Sequence, residues 1–121
     1  MNFKVMVCDD SAVARKMAIR CLPAALQGSV QQAENGRDAL AHLASEHFDL
    51  LLLDLTMPEC DGITVLDEIR ARRYEVFVLV VSGDIQPQRK QAVKKFNTLG
   101  FLNKPVCAKR VCHILTSYGL Y

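Results

Sequence analysis

A chain of 121 residues has room for a single domain, expected to span residues 1–121. Half of its residues are apolar and 23% are charged, a composition that argues against disorder. No apolar run approaches membrane-spanning length and the N-terminus carries no signal-peptide h-region, so neither a membrane partner nor secretion is expected.

The five cysteines (Cys8, Cys21, Cys60, Cys107 and Cys112) are odd in number and include no Cys-x-x-Cys pair. Buried or inert thiols in a reducing cytoplasm are the expectation. The net charge of +2 gives no reason to expect nucleic acid, yet it hides an asymmetry. Residues 1–84 hold eight Lys/Arg against thirteen Asp/Glu, whereas residues 85–121 hold seven Lys/Arg and no acid. Such a split marks either a functional pole at each end or a basic face that is merely solvated.

In chain order, short apolar runs alternate with segments of helical period. Phe3–Cys8, Val30–Ala33, Leu50–Leu53, Val76–Val81 and Gly100–Leu102 read as strands. The third and fourth are almost wholly apolar, as parallel strands covered on both faces must be. Ser11 caps a first helix, with Pro23 in or just past its last turn. Asn35-Gly36 leads into a second helix with the stripe Ala39, Leu40, Leu43, Ala44, and Asp61-Gly62 precedes a third with Ile63, Leu66, Ile69. Ala92, Val93 and Phe96 mark a fourth helix; Val111, Ile114, Leu115 and Tyr118 mark a fifth. This (βα)5 pattern, joined by right-handed crossovers, predicts an α/β fold: a parallel sheet with helices on both faces.

Ligands of such sheets sit beyond the carboxyl ends of the strands. There the sequence places Asp9-Asp10, Asp54, Ser82 and Lys104, each closing an apolar run and spaced by whole strand–helix repeats. A single aspartate could be a solvated loop residue; five polar residues in phase converge on one edge. Three carboxylates at close range cannot all stay ionised without a counter-charge, which a divalent cation and Lys104 would supply. Oxygen ligands without a bidentate-Glu loop favour Mg2+. The alternative is a water-filled acidic notch with raised carboxyl pKa values. An aspartate beside such a cation, faced by a hydroxyl and an ammonium, suits a carboxylate nucleophile that takes a phosphoryl group, and Asp54 at the end of the central strand is the candidate.

The chain resembles the receiver domain of two-component response regulators over nearly its full length. The resemblance rests on Cys8-Asp9-Asp10-Ser11, Glu34-Asn35-Gly36, residues 50–58 (LLLLDLTMP) with Asp61-Gly62, Val81-Ser82-Gly83 and Lys104-Pro105. It implies a flavodoxin-like sheet of order 2-1-3-4-5. It further implies Asp54 as phospho-acceptor, and Asp10, Asp9 (mostly through water) and the Thr56 carbonyl as Mg2+ ligands. Ser82 would be the switch hydroxyl, Lys104 a phosphoryl contact ahead of a cis Lys104-Pro105 bond, and Phe101 the switch aromatic. A histidine kinase or phosphotransfer protein would be the donor. Thr56 and Asp84 occupy positions where the family tunes dephosphorylation.

Only Ser117–Tyr121 follow the fifth helix, so a stand-alone receiver that acts by binding another protein is expected, rather than a piece of a larger regulator or hybrid kinase. Its output face would be helix 4, strand 5 and helix 5, where Arg89, Lys90, Lys94, Lys95, Lys109 and Arg110 suit a partner with an acidic surface. A haloacid-dehalogenase-type phosphatase also uses Asp, Mg2+, Ser/Thr and Lys, but its second aspartate is here Thr56. A flavin carrier would need a phosphate-cradling loop where Asp9-Asp10 stand.

Overall fold

The computed structural model describes residues 3–57, 60–83 and 86–120. Its elements are β1 (Val5–Cys8), α1 (Ala12–Cys21), a 3-10 segment (Ala24–Ser29), β2 (Val30–Ala33), α2 (Gly36–Ser45), β3 (Leu50–Leu53), α3 (Gly62–Arg72), β4 (Phe77–Ser82), α4 (Pro87–Lys94), β5 (Gly100–Asn103) and α5 (Ala108–Ser117). The five strands form one parallel sheet in the order β2-β1-β3-β4-β5, as the sequence implies.

Strand periodicity divides the interior into two cores. Met6, Cys8, Leu51, Leu53, Val78 and Val80 face α2, α3 and α4; Val5, Val7, Leu50, Leu52, Leu79 and Val81 face α1 and α5. All four leucines of β3 are buried. Each contributes roughly 1.5–3 kcal/mol by leaving water, which makes β3 a rigid mount for whatever follows it. The outer strand β2 exposes Gln31 and Gln32, polar cover suited to an edge.

Three helices start as the sequence predicts. The side chains of Ser11, Asn35 and Asp61 accept the amides of Ala14, Asp38 and Thr64 at 3.2, 2.8 and 3.0 Å, caps typically worth about 1 kcal/mol each. Elsewhere the boundaries shift. The first strand begins at Val5, because the Lys4 amide turns instead to the Asp49 carboxylate at 2.8 Å. The fourth runs Phe77–Ser82, and Leu26 seats the unforeseen 3-10 segment against the core. Ala44 is exposed, Phe96 lies beyond α4, and Tyr118, past the end of α5, is 55% exposed rather than packed. The five thiols are unpaired, but Cys107 departs from the expectation of buried or inert sulfur. It is exposed at the start of α5, where the backbone N–H groups of Arg110 and Lys109 push its pKa below the ordinary 9.0. Pro58 and Asp84 lie outside the described residues.

Two glycines let α2 and α3 close on the loop after β3. A Cβ on Gly36 would meet the Cys60 carbonyl oxygen at 2.3 Å; one on Gly62 would meet the Asp54 carbonyl oxygen at 2.6 Å and the Leu55 Cα at 2.7 Å. These obstacles are backbone and cannot rotate away. Gly62→Ala is therefore expected to destabilise by about 1–3 kcal/mol, the usual cost of overpacking, seen as a lower urea midpoint at unchanged slope. An unchanged midpoint would mean that the loop yields freely.

Candidate functional site

Parallel register builds the site. Cys8 pairs with Leu53, so the next residues, Asp9 and Asp54, emerge side by side at the carboxyl ends of β1 and β3. The Asp54 amide donates to the Cys8 carbonyl at 3.0 Å and fixes that juxtaposition. Ser82 pairs with Asn103, and the Lys104 amide donates to the Ser82 carbonyl at 3.0 Å, which brings the ends of β4 and β5 to the same edge. The five polar residues picked from sequence thus end their strands on one edge of the sheet.

Asp9 and Asp54 are each 5% exposed and Ser82 is fully buried, whereas Asp10 and Thr56 are exposed. Carboxylate oxygens of Asp9, Asp10 and Asp54 all lie within 4.8 Å of one another. The Lys104 ammonium donates to Asp9 at 2.6 Å and stands 3.6 Å from Asp54. The Ser11 amide donates to the Asp9 carboxylate at 2.9 Å, and the Thr56 amide to Asp54 at 3.4 Å. The Lys104-Pro105 peptide is cis. Hard oxygen donors at this spacing, half open to solvent through Asp10, match the chemistry of a small divalent cation that keeps part of its water.

Burial raises the Asp54 carboxyl above its ordinary 3.8; Lys104 pulls it back, Asp9 raises it, the Thr56 amide lowers it, and Asp10 raises it again. For Lys104, burial favours the neutral amine, but the hydrogen bond to Asp9 and the charges of Asp54 and Asp9 prevail and its pKa rises. Cys8, beside both acids, is pushed up to about 12, chiefly by burial. It remains a neutral thiol that donates to the Asn35 carbonyl and adds no fourth negative charge.

The contacts of two arginines escape sequence reasoning: Arg15 reads as solvated on its amphipathic helix, and Arg89 reads as part of the basic output face. Arg15, only 9% exposed, donates through Nη1 to the Asp9 carbonyl and through Nε to Gln32, both at 2.8 Å, and so pins the loop that carries Asp9 and Asp10. Arg89 donates through Nη2 to the Leu55 carbonyl at 2.9 Å and approaches the Asp61 carboxylate at 3.7 Å, tying α4 to the loop after Asp54. The residue after it, Lys90, places its ammonium 5.5 Å above the half-buried Phe101 ring. No signal short of the three-dimensional register reveals either arginine contact.

The family model described as response regulator receiver domain matches residues 5–116. The chain belongs to the response regulator receiver family. It is 32% identical to the chemotaxis protein CheY of Bacillus subtilis, with 92% of each chain covered. It is 30% identical to the cyclic di-GMP phosphodiesterase RocR of Pseudomonas aeruginosa over 98% of its own length, and spans only 32% of that protein. Several other curated relatives are likewise matched over less than half their length. Among solved structures, a response regulator receiver protein from Pseudomonas putida superposes with a TM-score of 0.87 at 27% identity, covering 97% of this chain and 98% of that one. Receiver membership sets aside the phosphatase and flavin-carrier alternatives. No helix among the described residues is long and apolar enough to cross a membrane.

The pKa pattern carries a testable sign. Between 3.8 and the raised native value, the folded chain holds the Asp54 proton more tightly than the unfolded chain, so Asp54 withdraws stability as pH rises through that window. Lys104 has the same sign in the alkaline range: its contribution is complete at neutral pH and is lost as pH rises through the native lysine value. Asp54→Asn is therefore expected to unfold at higher denaturant than the parent chain at pH 7 without divalent cations. The gap should close toward pH 4. A gap independent of pH would assign the effect to packing of the amide instead of charge.

Proposed function

We propose that residues 1–121 act as one receiver that takes a phosphoryl group on Asp54 and thereby changes which protein it binds. The observation that carries this is a desolvated carboxylate at the end of the wholly buried strand β3, with one ammonium 3.6 Å away and two further carboxylates crowding it. Desolvation makes the Asp54 oxygen a better nucleophile, because less water must be shed before it attacks. That oxygen attacks the phosphorus of a phosphorylated histidine kinase, phosphotransfer protein or small donor; the bond to the leaving group breaks and the leaving group keeps its electron pair. Lys104 exchanges part of its pairing with Asp9 for the new phosphoryl oxygens, and Ser82 supplies a hydroxyl to another. Asp9, Asp10, Asp54 and the Thr56 carbonyl would hold Mg2+, which when bound offsets phosphoryl negative charge.

A nearly complete shift between two states takes about 5.5 kcal/mol, and charge-assisted hydrogen bonds contribute roughly 1.5–3 kcal/mol each. Two or three contacts from Ser82 and Lys104 suffice where one does not. With Mg2+ and acetyl phosphate, mass spectrometry is expected to show one labile phosphoryl group, absent in Asp54→Ala and lost on chelation. Ser82→Ala and Lys104→Ala are expected to accept it slowly and fail to pass the change to Phe101, read from amide chemical shifts. Stable labelling elsewhere would sink this reading.

The output partner meets α4, β5 and α5 through an acidic surface. Support comes from the exposed Lys94, Lys109 and Arg110, while Lys90 is partly committed to Phe101. Replacing Lys94, Lys109 and Arg110 together with Glu is expected to slow association with the output partner severalfold at low salt while leaving Asp54 phosphorylation intact. Unchanged binding would place the output face elsewhere.

A further inference from the structure

At the opposite edge of the sheet from Asp54, the amino ends of β3 and β4 and the carboxyl ends of α3 and α4 enclose a cleft of about 740 Å3. Its volume lies within the range of roughly 300–1,000 Å3 usual for small-molecule sites. We propose that this cleft binds a planar aromatic anion, its ring against Phe77, Tyr74 and Phe96 and its charged group held by Arg70, Arg73 and Lys95.

Phe77 is the first residue of an interior strand, yet its ring is 48% exposed, one of few large apolar side chains so placed. Tyr74 and Phe96 are half-buried around it, so the cleft has aromatic walls that no side chain of the fold fills. The Arg70 guanidinium lies over the Phe96 ring at 5.9 Å from its centre, a cation–π distance that leaves its N–H donors to meet an anion beside the ring.

The charges are set for a modest anion. Among the described residues, no ion pair engages Arg70, Arg73 or Lys95, although i,i+4 pairing is used one position away, where Arg72 meets Glu68. Two carboxylates also line the cleft. Asp49 is committed to the Lys4 amide at 2.8 Å and to His47 at 3.2 Å, which leaves Glu75 as the opposing charge. Carbonyl dipoles at the ends of α3 and α4 favour cations there but leave the guanidinium donors on the solvent side available. Arg73 takes the left-handed conformation (φ 57°) that helix ends normally give to glycine, so a long cationic side chain stands where none is needed to end the helix. Three cations against one uncommitted carboxylate fit a ligand of one or two negative charges and disfavour a polyanion.

Naphthalene-1-sulfonate serves as the probe, with neutral 1-naphthalenemethanol and inorganic sulfate as controls, titrated into the isotope-labelled chain. Saturable amide shifts confined to residues 70–78 and 95–98 are expected for the naphthalenesulfonate. Each control should bind about tenfold more weakly, since one lacks the charge and the other the ring. Arg70→Gln with Arg73→Gln is expected to weaken binding about tenfold, while Glu75→Gln tightens it about twofold by removing the opposing charge. A fold defect cannot produce opposite responses in the two variants. Equal affinity for the neutral analogue, shifts centred elsewhere, or no response to either variant would overturn the proposal.

Discussion

Everything at the working edge of this domain depends on one electrostatic constraint: three carboxylates share a space that a single ammonium, Lys104, must hold together. At 2.6 Å from Asp9 and 3.6 Å from Asp54, that ammonium is closest to a residue other than the proposed acceptor. Attraction to Asp9 keeps the lysine in place; burial first, then the charges of Asp9 and Asp10, keep Asp54 hard to ionise. Such a site is poised to gain from any added positive charge and from any group that carries Asp54's negative charge outward.

The constraint is affordable because the sheet beneath it is rigid. A buried acid beside other acids would ordinarily relax by turning to water, but Asp54 follows four buried leucines and its own amide is bonded to Cys8. Packing on both faces of β3 holds it where electrostatics alone would not. Cys8 contributes by omission, since a thiol kept neutral fills the space beneath the acids without charge.

Much of this is written in the chain. Asp9, Asp10, Asp54, Ser82 and Lys104 each close an apolar run, and whole-repeat spacing in a parallel sheet brings such residues to one edge, so both topology and site are readable. What could not be read depends on neighbours distant in sequence. Arg15 follows the helical pattern of a solvated residue and Arg89 that of a basic surface; their bonds to Asp9 and Leu55 arise only when those residues arrive beside them. Lys90 reads as one cation of the basic output face until the Phe101 ring comes beneath it. The 3-10 segment and the exposure of Tyr118 escape because apolar spacing cannot say where a helix stops. The cleft around Phe77 is assembled from four element ends, none with a motif of its own.

The Leu55 carbonyl accepts two donors, the Gly62 amide of its own loop at 2.9 Å and the Arg89 guanidinium of α4 at 2.9 Å. One oxygen is thus shared between the segment that follows Asp54, the proposed acceptor, and α4 of the proposed output face. Thermodynamic reciprocity then applies in both directions. Whatever factor phosphorylation contributes to a partner's affinity by shifting α4, that partner returns to the phosphorylation equilibrium by holding α4. On the proposed reading, the abundance of the target therefore sets how much of this receiver stands charged at a given donor level, and the domain reports on its listener as well as its sender.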